Sequence, residues 1–164
     1  MWNRINSIQI ISLYKRLTHE LSFELQSIQM KKQKEKENTE LILKYIDAMN
    51  GKTKEASVCD QYMTDQKLKE HVLFFDAIFP QYDGEVEEIM AEGDRVMIRA
   101  RMRGVHKGEF NGIPATYKKV EFPFVITYTI RNGKIVDHWL IADQMELLQQ
   151  LGVIESNVDQ NHLL

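Results

Sequence analysis

The period of the hydrophobic pattern changes at Pro80, and that change restricts the chain to one class of fold. Before it, apolar residues recur every three to four positions. Leu41, Tyr45 and Met49 form one stripe, widened by Ile42 and Ile46, and Leu68, Val72, Phe75 and Phe79 form another. After it, apolar residues alternate. Val96, Ile98, Ala100, Met102, Gly104 and His106 share one parity, while Arg95, Arg99, Arg101, Arg103 and Lys107 share the other. Val120, Phe122, Phe124, Ile126, Tyr128 and Ile130 give a further strand its apolar face. Alternation is the mark of a strand, and recurrence at three and four is the mark of a helix. Helices followed by a meander of antiparallel strands predict an α+β domain with the helices on one face of a curved sheet.

Boundary residues sharpen the outline. An amphipathic helix is predicted over 4–29, carried by Leu13, Leu17, Leu21 and Leu25, with Ile28 continuing the stripe. The charged run Lys31–Glu37 follows as a solvated helix face or linker. Met30 begins that run, so residues 1–30 read as an N-terminal helical extension ahead of an alternative start. A helix over 38–50 has Asn38 as N-cap and Gly51 as stop. A helix over 65–79 has Thr64 or Asp65 as cap and ends at Pro80. A short strand fits 86–90. The last helix, 143–151, has Asp143 as N-cap, Glu146 three residues on and Gly152 as stop. The main domain is thus expected over 31–155, with a polar, frayed tail over 156–164.

Asn132-Gly133 predicts a two-residue type I′ hairpin between strands 119–131 and the segment after it. A regular hairpin fixes the register by counting. Ile130 faces Ile135, Tyr128 faces Asp137, Ile126 faces Trp139 and Phe124 faces Ile141; on the other face Thr127 pairs with His138 and Val125 with Leu140. Both faces then carry apolar residues, which predicts cover on both sides and a homodimer.

Bulk properties exclude several classes. The 164 residues suit one domain. The net charge of −3 gives no basic excess for nucleic acid. No apolar run spans a bilayer. The segment Ile8–Tyr14 is interrupted by Gln9 and Ser12, is followed by Lys15-Arg16 and lacks a cleavage pattern, so no secretory signal is expected. The lone Cys59 permits no internal disulfide and no cysteine metal cluster, and a cytoplasmic setting is expected.

The candidate chemistry lies in Gly104–Thr116 and in Asp137-His138-Trp139 with Asp143. His106 ends a strand on its core parity, either as a histidine bonded to backbone or as a pocket acid or base, since an imidazole titrates near neutrality. Asp137 stands on an apolar face opposite Tyr128. There it is either a carboxylate hydrogen-bonded to that tyrosine or a carboxyl whose pKa the surroundings raise. His138 points away from it, and Asp143 caps a helix or joins the acids at the mouth. Phe75, Phe79, Tyr128 and Trp139 are the expected pocket walls. No nucleophile elbow, phosphate loop or metal-ligand spacing is present, so neither a metal nor a cofactor is expected.

Ala77-Ile78-Phe79-Pro80, Glu92-Gly93-Asp94-Arg95-Val96, the Gly104–Thr116 stretch, Gly133 to Trp139, Asp143 and Leu148-Gln149-Gln150-Leu151-Gly152 together resemble the SnoaL-like polyketide cyclases, also called ester cyclases, of the NTF2-like superfamily. The resemblance implies a cone-shaped barrel, with helices folded over a strongly bent sheet, a pocket between them, and a dimer. It implies cofactor-free aldol chemistry run by an acidic side chain. Two positions depart from the pattern. Leu140 stands where many relatives have an acid after the tryptophan, and Tyr117 stands where many have glycine. The expected function is a cyclase or isomerase acting on a small apolar carbonyl compound, with His106 or Asp137 as base and His138 or Tyr128 as second donor. A ligand-binding module without catalysis and a dimeric interaction protein are the alternatives.

Overall fold

A computed structural model describes residues 7–155. The polar tail expected over 156–164, and the first residues of the helix expected from residue 4, lie outside the described residues. The elements run α1 (Ser7–Met49), α2 (Ala56–Tyr62), α3 (Gln66–Ile78), β1 (Asp83–Glu92), β2 (Arg95–Val105), β3 (Lys119–Arg131), β4 (Lys134–Ala142) and α4 (Gln144–Leu151). The four strands form one antiparallel sheet in the order β1-β2-β3-β4, and the fold is α+β of the NTF2-like kind.

The two helices expected before Gly51 are one helix. Of the two readings of Lys31–Glu37 the solvated helix face holds: the run continues α1, because lysine, glutamine and glutamate are good helix formers and pair along it. Gln33 Nε2 donates to Glu37 Oε1 at 2.8 Å, and Lys31 Nζ lies 3.8 Å from Glu35 Oε1. The domain boundary expected at residue 30 therefore falls inside a continuous helix. Asn38 is no N-cap. It is buried in mid-helix, where its Nδ2 donates to the Gly93 carbonyl at 3.0 Å and ties α1 to the β1–β2 turn. The other two caps form as expected. Asp65 Oδ1 accepts from Leu68 N at 3.1 Å, Asp143 Oδ1 accepts from Glu146 N at 2.9 Å, and Gly152 ends α4 in the left-handed conformation.

Across β2 and β3 the register is regular and apolar. Val96 faces Tyr128, Ile98 faces Ile126, Ala100 faces Phe124 and Met102 faces Phe122. The hairpin of β3 and β4 begins as expected, with Arg131 opposite Lys134 and Ile130 opposite Ile135. A bulge then intervenes. Thr129 faces Asp137, leaving Val136 as the extra residue, and every later pair is shifted by one: Tyr128 faces His138, Thr127 faces Trp139, Ile126 faces Leu140 and Val125 faces Ile141. Side chains alternate with a period of two, so one extra residue exchanges the faces. His138 and Leu140 turn toward the helices; Asp137, Trp139 and Ile141 turn outward.

The bulge sits where the segment between α2 and α3 crosses the sheet. The Ile135 carbonyl accepts from Thr64 N at 2.8 Å and from Asp65 N at 3.3 Å, while the Ile135 side chain is fully buried. The main core lies between the concave sheet face and helices α1 to α3, around Ile42, Ile98, Ile126 and Ile135. A second cluster joins the end of α3 to α4 through Phe79, Met102, Phe122 and Leu147.

Candidate functional site

Between the helices and the concave sheet face lies a cavity of about 610 Å³. Its walls are mostly aromatic and aliphatic: Phe75, Phe110, Phe122 and Phe124, with Val72, Ile98, Leu140 and Leu147. A hydrophobic cavity with few polar groups is the usual form of a small-molecule site.

Some of its polar groups are already engaged. Asn50 exchanges both amide bonds with Gly84, accepting from Gly84 N at 2.9 Å and donating to Gly84 O at 3.0 Å. Lys54 is buried. Its Nζ donates to Tyr82 O at 2.6 Å and Lys52 O at 2.8 Å, and lies 3.7 Å from Asp76 Oδ1 and 4.0 Å above the Tyr82 ring. Burial lowers its pKa, and Asp76 opposes that shift. Both residues line the cavity with their polar groups already bonded.

The unengaged groups are of another kind. Tyr45 and Tyr128 are buried in the cavity wall with their rings edge to face, centroids 6.2 Å apart. Neither hydroxyl bonds a protein group among the described residues. Burial raises both pKa values, so both stay protonated and offer O–H donors. His71 joins them from α3, with its ring 4.8 Å from that of Phe75. Burial, and then the nearby His138, lowers its pKa, which leaves a neutral imidazole at neutral pH.

Behind this wall stands an acid–imidazole pair. His138 Nδ1 lies 2.6 Å from Asp65 Oδ2. The other Asp65 oxygen caps α3, which fixes the carboxylate. An imidazole that donates from Nδ1 to a carboxylate keeps its Nε2 lone pair free. Asp65 opens α3 and His71 lies on its second turn, so one helix positions both the carboxylate and the wall histidine.

The predicted residues divide between this site and elsewhere. Phe75 and Tyr128 line the cavity, and His138 faces Tyr128 across the sheet. Asp137 and Trp139 stand exposed on the outer face, and Asp137 borders a shallow polar hollow with Arg95 and Arg131. Asp143 is exposed and caps α4. Phe79 is fully buried beneath the wall and is not part of it. His106 is also fully buried away from the cavity, 5.4 Å from the Phe79 ring. Its Nδ1 accepts from Thr116 N at 3.2 Å and lies 3.0 Å from Thr116 Oγ1. That places the ring proton on Nε2, which has no hydrogen-bond partner among the described residues. Desolvation lowers the His106 pKa; the Gly108 carbonyl pulls weakly the other way.

The glycine-rich loop holds this buried imidazole. Lys107 N and Gly108 N both donate to the Ile78 carbonyl, at 2.9 and 3.0 Å. A Cβ at Gly108 would meet the Ala77 carbonyl oxygen at 2.4 Å, so only glycine fits there.

Three site residues were absent from the sequence reading: His71, Tyr45 in its polar role, and Asp65 as partner of His138. His71 carries a legible signal, since it lies three residues from Leu68 and four from Phe75 on the apolar face of its helix. The Asp65–His138 contact spans 73 residues and depends on the Val136 bulge, which leaves no local mark.

A profile of the SnoaL-like polyketide cyclases matches residues 40–151. The chain belongs to the SnoaL-like polyketide cyclase family. Solved structures of similar proteins share its architecture. AclR from Streptomyces galilaeus, provisionally assigned as a hydroxylase, is 26% identical over 77% of this chain and 87% of its own, with a TM-score of 0.67. IdmH from Streptomyces antibioticus, provisionally a polyketide cyclase, is 26% identical over 70% of this chain and 98% of its own, with a TM-score of 0.57. A SnoaL-like polyketide cyclase from Agrobacterium tumefaciens strain C58 is 19% identical, covers 70% and 98%, and has a TM-score of 0.60. Comparison with curated protein sequences returns no match. The family match begins at residue 40, so most of α1 lies outside it. Among the described residues no helix is long and apolar enough to cross a membrane.

Proposed function

We propose that the protein is a cofactor-free cyclase or isomerase acting on a small apolar carbonyl compound of polyketide type. The supporting observation is an imidazole of lowered pKa, His71, that lines the same aromatic cavity as two tyrosines whose hydroxyls bond no protein group among the described residues. His71 removes a proton from the carbon next to a carbonyl. Tyr45 and Tyr128 donate to the enolate oxygen. The enolate carbon either attacks a second carbonyl of the same molecule, closing a ring, or is reprotonated at a new position. The proton taken by His71 returns to the resulting alkoxide or carbon. His138, held by Asp65, stands behind His71, whose pKa is lowered chiefly by burial and then by this neighbour. Catalysis by one positioned base is worth roughly 10² to 10⁴ in rate. This assignment moves the base from His106 or Asp137 to His71 and keeps Tyr128 and His138 in supporting roles.

A second reading has an observation of its own. Leu140 lines the cavity, where the family resemblance implies an acid in many relatives. A pocket without that acid suits a carrier or sensor that binds the same ligands and leaves them unchanged. Titrating wild type and His71→Gln with aromatic ketones and β-diketones, and following both binding and turnover, separates the readings. Catalysis predicts similar affinity and turnover lower by at least ~10² in the variant. Binding without turnover by the wild type favours the carrier.

The expected homodimer and cytoplasmic setting belong to the same proposal. Met90, Trp139 and Ile141 stand exposed on the outer sheet face, which supports a copy packing there, and the buried, unpaired thiol of Cys59 suits a reducing compartment.

A further inference from the structure

Tyr82 enters the cavity wall from the turn that joins α3 to β1. Gln81 is left-handed there, φ 59°, and Tyr82 N donates to the Phe79 carbonyl at 3.1 Å. Asp76 ties this turn to Lys54. Its Oδ1 accepts from Gln81 N at 2.9 Å and its Oδ2 from Lys54 N at 3.1 Å. The Lys54 ammonium then meets Tyr82 twice, at the main-chain carbonyl, 2.6 Å away, and 4.0 Å over the ring. None of these contacts uses the Tyr82 hydroxyl, which bonds no protein group among the described residues. His106 Nε2 is the one sealed side-chain nitrogen or oxygen without a partner among those residues. The oxygens of Tyr45, Tyr82 and Tyr128 are therefore not sealed, and their residues line one cavity. Burial raises all three pKa values. After burial, Tyr128 and then Tyr82 raise that of Tyr45, and Tyr82 raises that of Tyr128, as neighbours in one cluster do.

A carbonyl oxygen accepts at two lone pairs. In the reaction proposed above, Tyr45 and Tyr128 fill that capacity, and Tyr82 is a third donor. A ligand with a single oxygen leaves its hydroxyl unpaired in an apolar pocket, which is costly. We propose that Tyr82 donates to a second carbonyl oxygen of the ligand, the one whose carbon the enolate attacks. This role rests on the cyclase reading and narrows it to ring closure. The enolate carbon forms the new C–C bond, and the π pair of the second carbonyl moves onto the oxygen held by Tyr82. The alkoxide so formed takes the proton that His71 removed. Lys54 is not the donor to this oxygen, because its ammonium is spent on two carbonyls and lies 3.7 Å from Asp76.

Tyr82→Phe removes the hydroxyl and keeps the ring, the turn and the Lys54 contacts. Benzoylacetone and butyrophenone are the probes, since they differ only in the second carbonyl oxygen. The affinity of the full chain for each is measured by calorimetry. Wild type is expected to prefer benzoylacetone, and the variant to lose a factor of roughly 3 to 10 of that preference. The preference is a ratio within one protein, so a general loosening of the cavity cancels. An equal ratio in the two proteins overturns the proposal, and so does a wild type that does not bind benzoylacetone. Affinity does not depend on proton transfer, which deuterium exchange by wild type and His71→Gln reads separately. An unchanged ratio beside normal exchange therefore removes Tyr82 alone, while a lost ratio without exchange removes the catalytic role of His71 and keeps Tyr82 as the group that binds the second oxygen.

Discussion

His138 Nδ1 lies 2.6 Å from Asp65 Oδ2, joining the last strand of the sheet to the first turn of α3. Asp65 thus does two things, capping the helix that carries His71 and holding the imidazole behind it. Asp65→Ala removes a helix cap and a charge-assisted hydrogen bond together. It is expected to lower the stability by about 2–3 kcal/mol, measured by urea denaturation. A loss under ~1 kcal/mol would show that the contact does not hold the fold.

The bulge at Val136 decides which side chains of β4 reach the interior. Deleting Val136 removes the extra residue and leaves Thr129 opposite Asp137 and Tyr128 opposite His138, so the later pairs keep their faces. The variant is therefore expected to stay folded, with His138 and Leu140 still inward and a loss of roughly 0.5–3 kcal/mol by urea denaturation, as for an ordinary single change. A deletion variant that no longer folds would contradict the register described.

Tyr117 adopts a left-handed conformation, φ 58°, while its side chain stands in solvent. That conformation costs a residue with a side chain roughly 1 kcal/mol. Tyr117→Gly is therefore expected to stabilise the protein by up to ~1 kcal/mol, visible as a higher Tm. A lower Tm would show that the tyrosine ring makes contacts that outweigh the strain.

His71 and His106 both have folded-state pKa values below that of a free imidazole, chiefly through burial. The unfolded chain therefore binds protons first as the pH drops. The stability is full above the unfolded pKa, about 6.5, and declines as the pH falls below it toward the folded values. The double variant His71→Gln/His106→Gln is expected to lose less stability than wild type between about pH 7 and 5, as followed by chemical denaturation. An identical slope would place the titration elsewhere.

Particular residues show how far the sequence could be read. Pro80, Asn132-Gly133, Asp65, Asp143 and Gly152 act through their own backbone geometry, so the change from helix to strand, the tight turn and the caps were legible. The α1 helix was divided at Lys31–Glu37 because a charged run suits a linker as well as a solvated helix face, and Asn38 looked like a cap. α2 escaped notice because seven residues are too few to show a period, and Glu55 before it makes no side-chain cap bond. The site was legible only in part. Tyr128, Phe75 and His138 stood out, but the faces of β4 hinged on a bulge at a valine, and valine is an ordinary strand residue. His106 illustrates the converse. Its core parity was correct, yet the parity reflected a sealed position beside Phe79.

The central claim is that His71 transfers protons within the aromatic cavity. The direct measurement is deuterium incorporation at the carbon next to the carbonyl of a bound ketone, in D₂O, by wild type and His71→Gln at saturating ligand. The account predicts exchange by wild type, a loss of roughly 10² to 10⁴ in the variant at unchanged affinity, and no such loss for His106→Gln. Exchange by saturated wild type at the rate of buffer alone, or equal exchange by His71→Gln, would contradict it.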